Sequence, residues 1–122
     1  MGREAHTVKR TALLLALMAA ALIMVSGVAL AKTFIGNDLG NNITGTPQAD
    51  VIEGRGGDDV LRGAEGADRI SGGNGQDRQY GGRGNDVIDT DGGYKDIVDC
   101  GRGTDTVYRD SRDDLRNCER LR

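Results

Sequence analysis

The chain has 122 residues, among them 20 Gly, one Pro, two Cys and one His, with 19 acids against 16 bases. That length holds one domain at most, and the formal net charge of −3 argues against nucleic acid as a partner. Two cysteines and one histidine exclude a Cys₄ zinc site, and the place of His6 in the chain excludes more.

Met1–Arg10 carries Arg3, Lys9 and Arg10, and Ala12–Val25 is an unbroken apolar run. Ser26 and Gly27 loosen that run, and Ala29-Leu30-Ala31 ends it in a small-x-small pattern. Basic head, apolar middle and A-x-A end predict a cleavable signal helix over 1–31, cut after Ala31. The alternative is a retained anchor, since Ala12–Ala31 is about long enough to span a bilayer. Either way the remainder is expected outside the cytoplasm, and a cleaved form is expected to be secreted with no membrane contact. His6 leaves with the leader, so the mature chain has no imidazole base, no Ser–His or Cys–His pair and no His-containing zinc site.

Removing 1–31, which holds Glu4, Arg3, Lys9 and Arg10, leaves 18 acids against 13 bases in 91 residues. All but three of those acids are Asp, and 18 of the 20 glycines remain. Leu, Ile, Val and Phe make up 16 of the 91, below the roughly 20% at which disorder is expected. An ordinary apolar core cannot be built from that inventory.

After a lead-in at 32–35, a period of nine begins at Gly36. The segments read GNDLGNNIT, GTPQADVIE, GRGGDDVLR, GAEGADRIS, GGNGQDRQY and GGRGNDVID, then Thr90 intervenes, then DGGYKDIVD and CGRGTDTVY. The sixth residue of each nonad is Asn41, Asp50, Asp59, Asp68, Asp77, Asp86, Asp96 or Asp105. The eighth is Ile43, Ile52, Leu61, Ile70, Gln79, Ile88, Val98 or Val107. A low-complexity linker has no reason to keep phase in this way, whereas a solenoid does. The first six residues of each nonad are turn chemistry. The last three make a short strand with one aliphatic pointing inward. The predicted fold is all-β: a parallel β-roll over 36–108 in which two nonads complete one coil, and each nonad stacks on the next but one at about 4.8 Å.

That stacking draws the acids into two columns, Asp50, Asp68, Asp86 and Asp105 along one edge and Asn41, Asp59, Asp77 and Asp96 along the other. Carboxylates about 5 Å apart repel by roughly 3 kcal/mol at an effective dielectric near 20, so a cation is expected between them. Carboxylate and carbonyl oxygens in a flexible turn suit Ca²⁺ better than Mg²⁺.

The nonads resemble the RTX, or haemolysin-type calcium-binding, repeats, whose motif is GGxGxDxUx with U a large apolar residue. Gly81–Asp89 matches at every defined position and Gly72–Tyr80 at all but Gln79. Gly54–Arg62 and Gly63–Ser71 lack only the second glycine, where Arg55 and Ala64 stand. The outer nonads depart further, at Leu39 and Asn41, Thr46 and Gln48, and Asp91 and Tyr94. The resemblance implies Ca²⁺ ligands at Asp50, Asp59, Asp68, Asp77 and Asp86. Turn carbonyls at 54–57, 63–66, 72–75 and 81–84 (Gly54, Gly56, Gly63, Gly72, Gly81) would join them. Asp96 and Asp105 continue the set past Thr90, an insertion able to shift the stack, and Asn41 offers only a neutral oxygen.

Other patterns are weaker. Asp89–Gly92 resembles the start of an EF-hand loop but has Cys100 where the loop needs Glu. No G-x-x-x-x-G-K-[ST] phosphate loop is present. Asn42-Ile43-Thr44 is a formal glycosylation sequon. Most Arg side chains fall where the repeat faces solvent, as a screen for the acids or, alternatively, an anion-binding patch. Cys100 and Cys118 predict a disulfide on an exported chain, tying 109–122 onto the last coil as a cap. A free thiol pair is the alternative.

The expected protein is a secreted calcium binder, not an enzyme, whose roll folds as Ca²⁺ binds. The N-terminal leader departs from the C-terminal secretion signal common in that family, and no residues are left over for a toxin or catalytic domain. The alternative is a calcium-stabilised adhesin or matrix protein, with Tyr80, Tyr94 and Tyr108 as a contact face for a cell-surface or polymer partner. A carboxylate-based enzyme has acids enough but no pocket-forming sequence outside the repeat.

Overall fold

The structure is a computed structural model that describes residues 30–122. The signal helix expected over 1–31 falls, but for its last two residues, outside the described residues.

Turn-forming residues interrupt the chain every nine positions, so among the described residues no strand exceeds three residues. The strands are β1 (Thr33–Ile35), β2 (Asn42–Thr44), β3 (Val51–Glu53), β4 (Val60–Arg62), β5 (Arg69–Ser71) and β6 (Arg78–Tyr80), followed by β7 (Val87–Asp89), β8 (Ile97–Asp99), β9 (Thr106–Tyr108), β10 (Asp114–Arg116) and β11 (Arg120–Leu121). Odd-numbered strands form one parallel sheet in the order β1-β3-β5-β7-β9-β11, and even-numbered strands form the other, β2 to β10. The result is a parallel β-solenoid of about five coils.

Register follows the nonad. Val51 stands over Thr33 and Arg69 over Val51, one coil of 18 residues at a time. The middle residue of each triplet points inward. One inner row runs Phe34, Ile52, Ile70, Ile88 and Val107, the other Ile43, Leu61, Gln79, Val98 and Leu115; Leu121 continues the register of the first row but is exposed. The core is therefore one side chain wide from each sheet, and Ile52, Leu61, Ile88, Val98 and Val107 are completely buried.

Thr90 does not shift the stack. Across it the register lengthens to Arg78↔Ile97 and Val87↔Thr106, and the extra residue is absorbed in the turn. There Thr90 is fully buried. Its hydroxyl donates to the Tyr108 carbonyl (3.0 Å) and to Asp113 Oδ2 (2.6 Å).

Both sheets extend beyond the nonads. Thr33–Ile35 adds a strand before them; β10 pairs with β8 and β11 with β9 after them, on shortened coils. The Cys100–Cys118 disulfide, with S–S 2.03 Å, ties this tail to the last nonad.

Tyr80, Tyr94 and Tyr108 do not share a face. Tyr80 lies in the even sheet, half-buried with the Arg62 guanidinium 5.4 Å above its ring. Tyr108 lies in the odd sheet and Tyr94 in a turn. The alternating register separates Tyr108 from Tyr80, since successive nonads supply opposite sheets, and Tyr94 stands off the strands at a turn position.

In five of the eight nonads the second and fourth turn residues adopt left-handed backbone. Gly73 (φ 78°), Gly82 (φ 92°) and Gly101 (φ 85°) do so at the second position, as do Arg55 (φ 76°) and Ala64 (φ 79°) where the motif lacks glycine. A side chain there costs about 1–2 kcal/mol relative to a right-handed residue. A Cβ on Gly82 would also meet the Ala64 carbonyl. Ala64→Gly should therefore raise the denaturation midpoint slightly, by up to about 1 kcal/mol, while Gly82→Ala should cost at least about 1–2 kcal/mol. Urea titrations in calcium check both.

Gln79 is the one polar member of the inner rows. It is fully buried; its Nε2 reaches the Asp89 carbonyl only at 3.4 Å, and its Oε1 has no partner. Gln79→Leu removes that unsatisfied group and should stabilise the roll by about 1–3 kcal/mol in the same titration.

Candidate metal centre

The sixth residue of each nonad precedes a strand, at the point where the turn comes back under the sheet. The structure brings these residues into the two expected columns, and it buries them: Asp50, Asp59, Asp68, Asp77, Asp86, Asp96 and Asp105 are all at most 1% exposed.

Burial divides each carboxylate into two halves. One oxygen accepts the backbone N–H of the matching residue one coil earlier. Asp50 N–H donates to Asp68 Oδ1 (2.8 Å) and Asp68 N–H to Asp86 Oδ1 (2.9 Å); Asp59 N–H donates to Asp77 Oδ1 (2.8 Å). The ladder continues across the insertion, from Asp77 N–H to Asp96 Oδ1 (2.7 Å) and from Asp86 N–H to Asp105 Oδ1 (2.7 Å). The second oxygen has no hydrogen-bond partner in Asp59, Asp68, Asp77, Asp86, Asp96 or Asp105. A row of buried, unpaired carboxylate oxygens is strongly unfavourable unless something positive meets it.

The first glycine of each nonad is where that oxygen points. A Cβ on Gly63 would meet Asp68 Oδ2 from its own turn and, at 2.6 Å, the Gly81 carbonyl from the next coil. Gly54 stands likewise against Asp59 Oδ2 and the Gly72 carbonyl (2.7 Å), and Gly81 against Asp86 Oδ2 and the Cys100 carbonyl (2.5 Å). Only a residue without a side chain leaves carboxylate and carbonyl oxygens together on that side of the turn. A Cβ on Gly72 would meet, beside Asp77 Oδ2, the Gln79 amide nitrogen at 2.7 Å. Gly56 belongs to the outer rim instead, its N–H on the Asn37 carbonyl (3.2 Å) and its Cα side against Asp38.

Asp50 and Asn41 differ from the residues stacked on them. Asp50 Oδ2 accepts the Thr46 N–H (2.6 Å) and hydroxyl (2.9 Å), and Asn41 Oδ1 accepts the Asn37 N–H (2.9 Å). Neither leaves an oxygen over.

Two further acids join the columns without belonging to any nonad. Asp113 Oδ1 accepts the Asp96 N–H (3.0 Å) and Glu119 Oε2 the Asp105 N–H (2.9 Å). The nine-residue phase misses them because the last coils are shorter. The remaining signal was the presence of acids in 109–122 with no assigned task.

Burial, and after it the charge of stacked neighbours, pushes the unpaired carboxyls upward from 3.8. Asp68 and Asp77 rise to about 6, Asp86 and Asp96 to about 7, and Asp59 and Asp105 also rise. Burial raises Asp50 too, but the Thr46 backbone and side-chain hydrogen bonds and Lys32 outweigh it and hold Asp50 below 3.8.

Among the described residues no three carboxylate, thiol or imidazole groups converge on one point. A cation here would draw on one or two Asp Oδ2 atoms and complete its shell with turn carbonyls, an all-oxygen set that fits Ca²⁺. Zinc and copper, which favour nitrogen and sulfur, are poorly matched.

The model of the family described as RTX calcium-binding nonapeptide repeat matches this chain in four overlapping copies, over residues 35–70, 44–79, 62–94 and 71–107. No curated protein and no solved structure matches it.

A carboxyl whose folded pKa is raised binds its proton more tightly folded than unfolded. In chelator, the roll should thus be least stable above about pH 7 and gain stability as pH falls through 7 and 6, the gain completing near 3.8. Asp50 alone works the other way, its contribution lost only below 3.8. With calcium chelated, far-ultraviolet circular dichroism should show more β-structure at pH 5 than at pH 8; the opposite order would contradict the burial of unpaired carboxyls.

Proposed function

Because the chain belongs to the RTX calcium-binding nonapeptide repeat family, we propose that it is a secreted protein with a binding rather than a catalytic role, whose roll folds as Ca²⁺ enters between stacked turns. The calcium-binding β-roll follows from the family and the fold. Export rests on the leader read at 1–31, and outside the cell millimolar calcium suits sites with dissociation constants of roughly 10⁻⁴–10⁻³ M.

One observation carries the folding reading: among the described residues, six carboxylates of the two columns are buried with an oxygen that no hydrogen-bond partner satisfies. Two thin rows of aliphatic side chains offer little to offset that penalty. Ca²⁺ supplies the missing charge at each rung and ties one coil to the next. Ion binding and coil formation then share one free energy, as in other small domains that fold around a metal. Asp68, Asp77, Asp86 and Asp96, with the carbonyls around Gly63, Gly72 and Gly81, are the residues that would hold it.

A calcium titration followed by far-ultraviolet circular dichroism should convert a disordered spectrum into a β one, with EDTA reversing it and Mg²⁺ failing to reproduce it. Asp68→Ala with Asp86→Ala removes two adjacent rungs of one column and should shift the midpoint to at least about tenfold higher calcium, each lost charge-assisted contact being worth about 1.5–3 kcal/mol. A wild-type spectrum that is β in EDTA at pH 8 and unchanged by calcium would overturn coupled folding.

A further inference from the structure

The nonapeptide pattern gives tasks to its first, second, fourth, sixth and eighth residues and leaves the fifth and seventh open. In three successive coils of the even-numbered side those open positions hold Asp58 and Val60, Gln76 and Arg78, and Lys95 and Ile97. Register sets Val60 beside Arg78 and Arg78 beside Ile97 on the outer face of the sheet. The six residues line an open groove of about 420 Å³ that crosses the strands and follows the stack. Asp59 and Asp77 also border it, but their side chains are buried and held by the ladder. On the odd-numbered side the same positions hold Ala49 and Val51, Ala67 and Arg69, and Asn85 and Val87. The groove there measures only about 130 Å³. The repeat therefore does not dictate the larger groove; the residues at its open positions do.

Charge in this groove is ordered along the stack. Asp58 places a carboxylate at one end, Lys95 an ammonium at the other, and Arg78 a guanidinium between them beside the Gln76 amide. All three charged residues are exposed and none is in an ion pair; the one pair among the described residues joins Arg116 to Asp114. The Asp58 carboxylate is anchored, its Oδ1 accepting the Gln76 N–H at 2.9 Å. Val60 and Ile97 are half-buried and give each end of the floor an apolar patch. A simple anion would leave Asp58 opposed, and a simple cation would leave Arg78 and Lys95 opposed. A ligand that carries both charges satisfies all three. The backbones that bear Asp58 and Lys95 stand two strand spacings apart, about 9.6 Å, and extended peptide advances about 3.3–3.6 Å per residue. An ammonium and a carboxylate separated by two or three residues match that span.

We propose that the groove binds a short free peptide of two or three aliphatic residues, its ammonium on Asp58 and its terminal carboxylate between Arg78 and Lys95. Val60 and Ile97 take the side chains, and the Gln76 amide faces the peptide bond. This site lies on the outside of the roll, apart from the carboxylate columns within it.

The test titrates valyl-valine into the full chain, with calcium saturating so that the columns stay in one state, and follows backbone amide chemical shifts. The N-acetylated and the C-amidated dipeptides are the comparison ligands. Saturable shifts should concentrate at 58–60, 76–78 and 95–97, and blocking either end of the ligand should weaken binding about fivefold or more. Asp58→Asn keeps an acceptor for the Gln76 N–H and should weaken valyl-valine while leaving the N-acetylated ligand unchanged. Arg78→Gln and Lys95→Gln should weaken valyl-valine while leaving the amidated ligand unchanged. Arg69→Gln, at the equivalent position of the other sheet, should change nothing. These substitutions sit at exposed positions, and a wild-type circular dichroism spectrum in calcium verifies the fold of each variant. Equal affinity for the free and N-acetylated dipeptides would reduce the groove to an anion site and overturn the proposal. So would the absence of a saturable shift, or binding that none of the three groove variants alters.

Discussion

The hydrogen bond from the backbone N–H of one aspartate to the carboxylate of the aspartate a coil later holds this molecule in register. It satisfies a buried donor that no strand partner reaches. It also fixes which way the carboxylate faces, leaving one oxygen inside the turn and directing it at the first glycine of the nonad. Short strands, glycine at that position and an unpaired anion in every gap all follow from it. Replace the carboxylate by an amide and the ladder can persist while the charge disappears. Fill the glycine with a side chain and the oxygen has nowhere to go.

This arrangement makes the stack nearly one-dimensional. Each coil meets only the coils above and below, so stability is a sum of local rungs and the ends are the weak points. The two ends are treated differently. At the start, Thr46 satisfies Asp50 and Asn37 satisfies Asn41, so the column begins with oxygens already paired inside their own turns. At the finish, Asp113 and Glu119 accept the last two aspartate N–H groups, and the disulfide holds the tail against them.

Most of the fold was legible because a fixed period leaves few alternatives. The phase of Asp59, Asp68, Asp77 and Asp86 gave the coil length, the two columns and the inward row in a single step. The double use of each carboxylate was not legible: the motif marks the aspartate as a ligand and says nothing of the N–H it also serves. Thr90 was readable as an insertion but not as a buried hydroxyl whose partners, Tyr108 and Asp113, hold the turn around it. The tail strands escaped because they obey the stack without obeying the nonad; once a ladder exists, its register recruits β10 and β11 at shorter spacing. The tyrosines do not form one face because Tyr80 and Tyr108 fall in opposite sheets and Tyr94 occupies a turn, a difference of position within the nonad as well as of nonad.

The ladder has a direction. Every rung joins a donor to an acceptor that lies further along the chain, 18 residues later in the regular coils and 19 across Thr90. A chain made N-terminus first therefore presents each N–H before the carboxylate that will receive it. No coil can finish until its successor has been made, and Asp113 and Glu119 are the last of these acceptors along the ladder. Growth of the chain and closure of the roll are thus kept in step by the order of the residues themselves. Each new turn acts as a latch on the one before it.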